Sequence, residues 1–385
     1  MIFTSACVVA MALGFMPQAV AAELIRIVDV VELSGAGAAA GANWKDGVDL
    51  AASEINEKGG VLGHRLSVEH YDTQTSPSVA RALVLKALDQ NPYAILGPIY
   101  SGSIKAGMTL AQQAGVVQIV GGVATELTHL GSRYIFRAAP GQDQSMTVLV
   151  DYLQNSIKAR RLAVLWVNND FGKGGRDALF RELTMRGMAV ALDASVEPGQ
   201  LNFTADVTRA VAANADAVFV YLNEEESARF LREARKQGLA APIVGGGSLL
   251  GQKVIDLAGD AANGIQGLIG LTADAPVETL RDFRARFETR FGYVPDHNAI
   301  EGSIAVYAIK AATRKMGQID RIRLAGTLHG LTITPSEEPG ILLDTTWDER
   351  GDVYRANFIG EVVDGKHRVV KILPKGTVPG LKGLH

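Results

Sequence analysis

The sequence predicts an α/β protein whose parallel sheets carry helices on both faces, and three observations lead there. Short apolar runs rich in β-branched residues alternate with segments of helical period. Several of these runs are apolar throughout, as strands buried on both faces of a parallel sheet must be. The alternation also restarts midway, running once from 24 to about 139 and again from about 144 to 270. A chain of 385 residues arranged this way reads as two lobes rather than one overgrown core.

Strands are expected at 24–33, 65–72, 93–99, 116–120, 162–167, 189–195, 217–222, 242–244 and 265–269. Between the early ones, Ala80, Leu83, Val84, Ala87 and Leu88 fall on one helical stripe. Leu280, Phe283, Phe287 and Phe291 make a second stripe, and Ile300, Ile304, Tyr307, Ala308 and Ala311 a third. A strand pair follows at 357–363 and 367–373, joined by Asp364-Gly365, a strong hairpin-turn signal. In open sheets of this kind a ligand crevice is expected beyond the carboxyl ends of the strands.

Several function classes are excluded at this level. A formal net charge of −3 argues against a nucleic-acid partner, which needs a basic stripe. Gly245-Gly246-Gly247-Ser248 follows a strand, yet no Gly-Lys-Ser/Thr completes a phosphate loop. His64, His70 and His129 lack zinc-ligand spacing, and no Gly-x-Ser-x-Gly elbow with a paired base is present. Neither a metal nor a cofactor is expected, and no catalytic residues are assigned. The protein reads as a binder, not an enzyme.

The amino terminus supplies an address. Residues 6–16 are apolar but too few to span a bilayer, which takes about twenty. Pro17 and Ala19-Val20-Ala21-Ala22 follow, the small-residue pattern of a signal-peptidase site, so residues 1–22 read as a signal peptide and the protein as exported. No Lys or Arg precedes the apolar run, so either the start codon lies upstream of Met1 or the signal is atypical. Cys7, the one cysteine, leaves with the signal, so no disulfide framework is expected.

Three segments then resemble a known family: Leu33-Ser34-Gly35, Gly47-Val48-Asp49-Leu50-Ala51, and the run from Glu54-Ile55-Asn56 through Gly59-Gly60-Val61-Leu62-Gly63. The likeness continues collinearly through Tyr71-Asp72, Leu96-Gly97-Pro98, Glu126-Leu127-Thr128, Ile135-Phe136-Arg137 and Asn169-Asp170-Phe171-Gly172. It reaches Phe230-Leu231-Arg232 and Trp347-Asp348-Glu349-Arg350-Gly351-Asp352. The pattern is similar to the type I periplasmic binding proteins, above all the leucine/isoleucine/valine-binding proteins of ABC transporters. That resemblance implies two Rossmann-like lobes with parallel sheets joined by a three-strand hinge, with crossovers near 139–143, 267–272 and 340–346. Lobe 1 then comprises 23–140 plus 271–342, and lobe 2 comprises 141–270 plus 343–385. It further implies a monomer that closes over a small carboxylate or amino acid and docks on ABC permease subunits. A ligand-sensing role for a membrane receptor is the alternative within the same fold.

The resemblance also implies site residues. Ser101, at an expected helix start, matches the serine that holds the ligand carboxylate, with Gly102 letting the ligand approach; its alternative is an ordinary helix cap. In the loop around Gly122, Thr125 or Ala124 takes the place of a ligand-binding threonine, the alternative being a polar turn. Trp44, Tyr100 and Phe171 are expected as walls of the ligand pocket or as edges of the core. Asn223 falls where amino-acid binders carry an aromatic contact, and Gly247 where they carry the acid that pairs with the ligand ammonium. Glu224, Glu225 and Glu226 lie close by, but at a helix start they read as solvent charges. Asn298 and Glu301 are further candidates for reaching the crevice. Thr75 and Tyr100 occupy the positions of a disulfide that amino-acid binders often carry, so that clamp is absent. The ligand's carboxylate end is thus expected to be retained and its ammonium end altered. A hydrophobic or branched-chain amino acid is the default ligand, and an aromatic or 2-oxo acid is its rival.

Overall fold

The computed structural model describes residues 24–375, so the signal segment expected at 1–22, Cys7 included, lies outside the described residues. Five short strands, β1 (Ile25–Val31), β2 (Leu66–Asp72), β3 (Ala94–Leu96), β4 (Val117–Val120) and β5 (Ile135–Arg137), form one sheet. It is wholly parallel, in the order β2-β1-β3-β4-β5. A second sheet begins with parallel strands β6 (Arg161–Val167), β7 (Ala189–Val196), β8 (Ala217–Tyr221), β9 (Ile243–Gly245) and β10 (Gln266–Gly270). A small antiparallel sheet follows in the chain: β11 (Thr332–Ile333), β12 (Thr345–Trp347) and β13 (Val353–Tyr354). The hairpin β14 (Asn357–Val363) and β15 (Lys366–Leu373) then completes the second sheet, in the order β15-β14-β10-β9-β8-β6-β7. Its turn is the one expected, with Asp364 at φ 49° and Gly365 at φ 73°, the left-handed pair a tight hairpin requires.

The three helical stripes land on helices and bury their apolar sides: Pro77–Asp89, Glu278–Phe291 and His297–Met316. The last of these lies against the long first helix, Ala38–Glu57, and two glycines permit the contact. A Cβ on Gly47 would stand 1.9 Å from the Ala299 carbonyl oxygen, and one on Gly302 would stand 2.4 Å from that of Trp44. The helices Glu278–Phe291 and His297–Met316 both return to the core of the first sheet, which they share with Trp347 and Val353. The chain crosses between the sheets three times: after β5, after β10, and at 355–356 between β13 and β14. The last crossing falls later than the 340–346 expected, because Trp347 and Val353 stay packed in the first core.

Under this core sits a polar knot. His70 on β2 places Nδ1 2.8 Å from Asp29 and Nε2 3.0 Å from Asp49. Burial works to neutralise the imidazole, but the two carboxylates outweigh it and raise its pKa to about 9. A histidine held charged in the fold contributes stability that is complete below its unfolded pKa of about 6.5 and fades as pH rises through about 9. Melting temperature is accordingly expected to fall between pH 7 and 9.5 in wild type. His70→Gln should flatten that slope; an unchanged slope would remove His70 as its source.

Candidate functional site

A cleft of about 550 Å³ opens between the two large sheets, at the carboxyl ends of their central strands, where an open α/β sheet places its ligand. One wall comes from the segments after β3 and β4, including Tyr100, Ser101, Gly102, Gly121 and Gly122. The opposite wall carries Phe171, Tyr221, Asn223, Glu224 and the loop Gly246-Gly247-Ser248. His297, Asn298 and Glu301 from one helix, with Asn357 at the start of β14, line it as well.

Ser101 opens the helix Ser101–Gln113, and Tyr100 is its N-cap. The Ser101 hydroxyl caps nothing in its own helix; it accepts the Ala124 N–H at 3.3 Å, which leaves its O–H to donate. First-turn amides lack intrahelical partners, so a donor hydroxyl and a positive helix end coincide at the cleft surface. Beneath them Glu32, fully buried, accepts the N–H groups of Ile99 (3.0 Å) and Tyr100 (3.3 Å) and so fixes the turn into the helix. Burial raises the Glu32 carboxyl to about 7 against those bonds.

The glycine loop after β4 is held from behind by Arg137. This guanidinium is 1% exposed and donates to the carbonyls of Gly122 (2.7 Å), Ala124 (2.6 Å) and Thr125 (3.1 Å). Its Nε donates to Asp352 at 2.6 Å, and Trp347 Nε1 donates to its backbone carbonyl at 2.8 Å. Two motifs quoted from opposite ends of the sequence, Ile135-Phe136-Arg137 and the stretch from Trp347 to Asp352, are thus one clamp. Gly122 is tightly enclosed: a Cβ would come within 2.2 Å of Ile104 Cδ1, which would have to shift, and 3.1 Å from the Ile99 carbonyl oxygen.

Three expected site residues lie elsewhere. Trp44 is fully buried and donates its indole N–H to Asp29 at 3.0 Å, so it packs beneath the loop, with its ring under Gly121, and does not cover the ligand. Thr125 begins the short helix Glu126–His129 and turns its hydroxyl to Asp143 at 3.0 Å, in a separate polar groove. Ala124 is 1% exposed and contributes its N–H to Ser101 instead of a cleft surface. The glycine loop turns away from the cleft one residue too early for either to line it.

The remaining expectations fall together. Ser101, Tyr100, Gly102, Gly122, Phe171, Asn223 and Gly247 all line the cleft. Phe171 stacks on Tyr221 with ring centroids 4.2 Å apart, forming an aromatic wall. Tyr221 went unnoticed in the sequence; its one signal is an aromatic at the end of an apolar strand, two residues before Asn223. Gly175 makes space for that ring, since a Cβ there would stand 2.1 Å from it.

The expectation that Glu224–Glu226 are solvent charges is overturned for two of them. Glu224 and Glu226 line the cleft, because the helix Glu224–Lys236 begins at its edge. Tyr100 donates its hydroxyl to Glu224 at 3.1 Å, a bond across the cleft from one wall to the other. Burial raises the Glu224 carboxyl to about 7, with Asp296 and Glu226 pushing the same way and the Tyr100 bond opposing. Glu226 is buried and accepts the Gly199 N–H at 2.5 Å.

With this geometry in place, comparison with known proteins decides the family. The model of a periplasmic binding protein family matches residues 25–366. The chain belongs to that family. Among its curated relatives is the leucine-, isoleucine-, valine-, threonine-, and alanine-binding protein of Pseudomonas aeruginosa, 26% identical over 350 residues, covering 90% of this chain and 91% of the relative. Among solved structures, the branched-chain amino acid transporter substrate binding protein LivJ of Streptococcus pneumoniae, in complex with isoleucine, superposes with a TM-score of 0.83 at 22% identity. That match covers 91% of this chain and all of LivJ (100%). A solute binding protein of an ABC transporter from Rhodopseudomonas palustris, in complex with 3,4-dihydroxy benzoic acid, gives a TM-score of 0.82 at 22% identity over 93% of this chain and 99% of that one. This periplasmic binding protein therefore shares its fold with structures that hold both kinds of acid. Other curated relatives, such as the Leu/Ile/Val-binding protein homolog 1 of Brucella abortus at 24% identity over 89% of this chain and 92% of the relative, are similar over the same length. Among the described residues no helix is long and apolar enough to cross a membrane.

Proposed function

We propose that the protein, exported through its amino-terminal signal, captures a small carboxylate-bearing solute in the cleft and hands it to an ABC permease, making and breaking no bond. The observation that carries this reading is Ser101: a hydroxyl free to donate, at the positive end of a helix, on the wall of a mainly apolar cleft. The two lobes, divided at the three crossings, would close around the ligand, and their wall-to-wall contacts, Tyr100–Glu224 and Lys105–Asp170, are what such closure would strengthen. A thermal-shift panel of hydrophobic amino acids, aromatic acids and 2-oxo acids tests it. A ligand that binds only the folded protein adds about 2.7 kcal/mol at one hundred times its Kd. A panel in which no acid raises the melting temperature would contradict the proposal.

A hydrophobic amino acid is the ligand this reading favours, and Glu224 supports it. The acid missing at Gly247 is supplied from the neighbouring helix start, where an ammonium would find a carboxylate already facing the cleft. Because Glu224 must be ionised for that role and its carboxyl stands at about 7, amino-acid affinity is expected to weaken as pH falls from 8 to 6. Glu224→Gln should weaken an amino acid by roughly tenfold or more while leaving its deaminated analogue unchanged. Equal losses for both would take the ammonium away from Glu224. The second reading, an aromatic acid, is favoured by the Phe171–Tyr221 stack.

A further inference from the structure

Five residues carry buried side-chain polar atoms without a hydrogen-bond partner among the described residues: Gln118, Ser248, Asn263, Arg355 and Asn357. Two of the five, Ser248 and Asn357, line the cleft, and a third, Arg355, pairs with the cleft residue Glu301. Asn357 is 4% exposed and lines the cleft; its amide nitrogen donates to the Arg355 carbonyl at 3.2 Å, and its Oδ1 has no donor. Ser248 lines the cleft beside Gly247, and its Oγ is unpaired. The two stand around the end of β10: Gly247 faces the Ile269 carbonyl, and Gly270 pairs with Phe358, the residue after Asn357. Arg355 lies behind this lining, 1% exposed, with Nη2 3.4 Å from Glu301 and its Nε and Nη1 unpaired.

Leaving a buried polar group unpaired carries a cost, and native structures rarely concentrate that cost in one place without a use for it. We propose that the hinge end of the cleft is a subsite for a hydroxyl group at the end of the ligand distal to its carboxylate. A hydroxyl both donates and accepts, so it suits either unpaired oxygen, donating to Asn357 Oδ1 or pairing in either sense with Ser248 Oγ. A methyl or ring hydrogen in its place leaves both unpaired. An ammonium there brings a positive charge toward Arg355, whose own charge is only loosely matched by Glu301 at 3.4 Å. The carboxylate is the business of Ser101; this subsite reads the other end. It rests on the small-carboxylate reading above and narrows it to hydroxylated acids.

The test is calorimetric titration with two pairs that differ by one distal hydroxyl: tyrosine against phenylalanine, and 4-hydroxybenzoate against benzoate. In wild type the hydroxylated member of a binding pair is expected to be at least about tenfold tighter, as sites built to hydrogen-bond a hydroxyl discriminate against its absence. Asn357→Leu, similar in shape, should bring the pair to within about twofold, and Ser248→Ala should remove part of the preference without relying on the Asn357 variant folding. Equal affinities within each pair in wild type overturn the subsite while the carboxylate reading stands. Failure of all four acids to bind overturns the subsite, while the thermal-shift panel above decides the carboxylate reading.

Discussion

Replacing Arg137 by methionine is expected to destabilise the protein by about 3–5 kcal/mol, because it strips the partner from a buried carboxylate. Asp352 is paired with Arg137 at 2.6 Å and lies 7% exposed, and the carbonyls of Gly122, Ala124 and Thr125 lose the guanidinium in the same step, Ala124 keeping the Leu127 N–H at 3.1 Å. Thr128 still donates to Asp352 at 2.8 Å and His129 Nε2 lies 3.5 Å from its other oxygen, which tempers the loss without replacing the permanent guanidinium charge. Arg137→Lys should recover only part of it, since an ammonium cannot reach three carbonyls and a carboxylate with one planar fork. Chemical denaturation measures the change. A loss below about 1 kcal/mol for Arg137→Met would mean that the clamp is incidental to the fold.

Ser101→Ala is expected to weaken binding of any carboxylate ligand by about 1–3 kcal/mol, roughly 5- to 150-fold, the worth of a hydrogen bond to a charged group. Its effect on folding should be small, because the hydroxyl makes one 3.3 Å contact within the protein. The two variants therefore separate the parts of the site: Arg137→Met acts on stability first, Ser101→Ala on affinity first. A Ser101→Ala protein that melts normally and binds its acid as tightly as wild type would remove Ser101 from the site.

Much of the architecture was legible because it is written in long local patterns. Strands β1, β6, β8, β9 and β10 are largely buried apolar runs, and the Asp364-Gly365 hairpin is a two-residue signal. The strands that escaped are two or three residues long, β5 and β11 through β13, too short to show any period. The site was less legible wherever a side chain's partner is distant in sequence. Trp44 looked like a cleft residue because its helix begins near the cleft, but its N–H is taken by Asp29, fifteen positions earlier on β1. Glu224 looked like a solvent charge because helix starts favour acids; only the placement of Tyr100, 124 positions away, turns it into a cleft group. Arg137 and Asp352 were visible as motifs, while their pairing across 215 positions was not.

The central claim is that the cleft recognises a carboxylate. It is tested most directly by titrating the wild-type protein with an acid that raises its melting temperature and with the carboxamide of that same acid. The two differ in the charge that Ser101 and the helix end are placed to receive. One-to-one binding of the acid with at least about a tenfold loss for the amide is the predicted result. An amide that binds as tightly as the acid would contradict it.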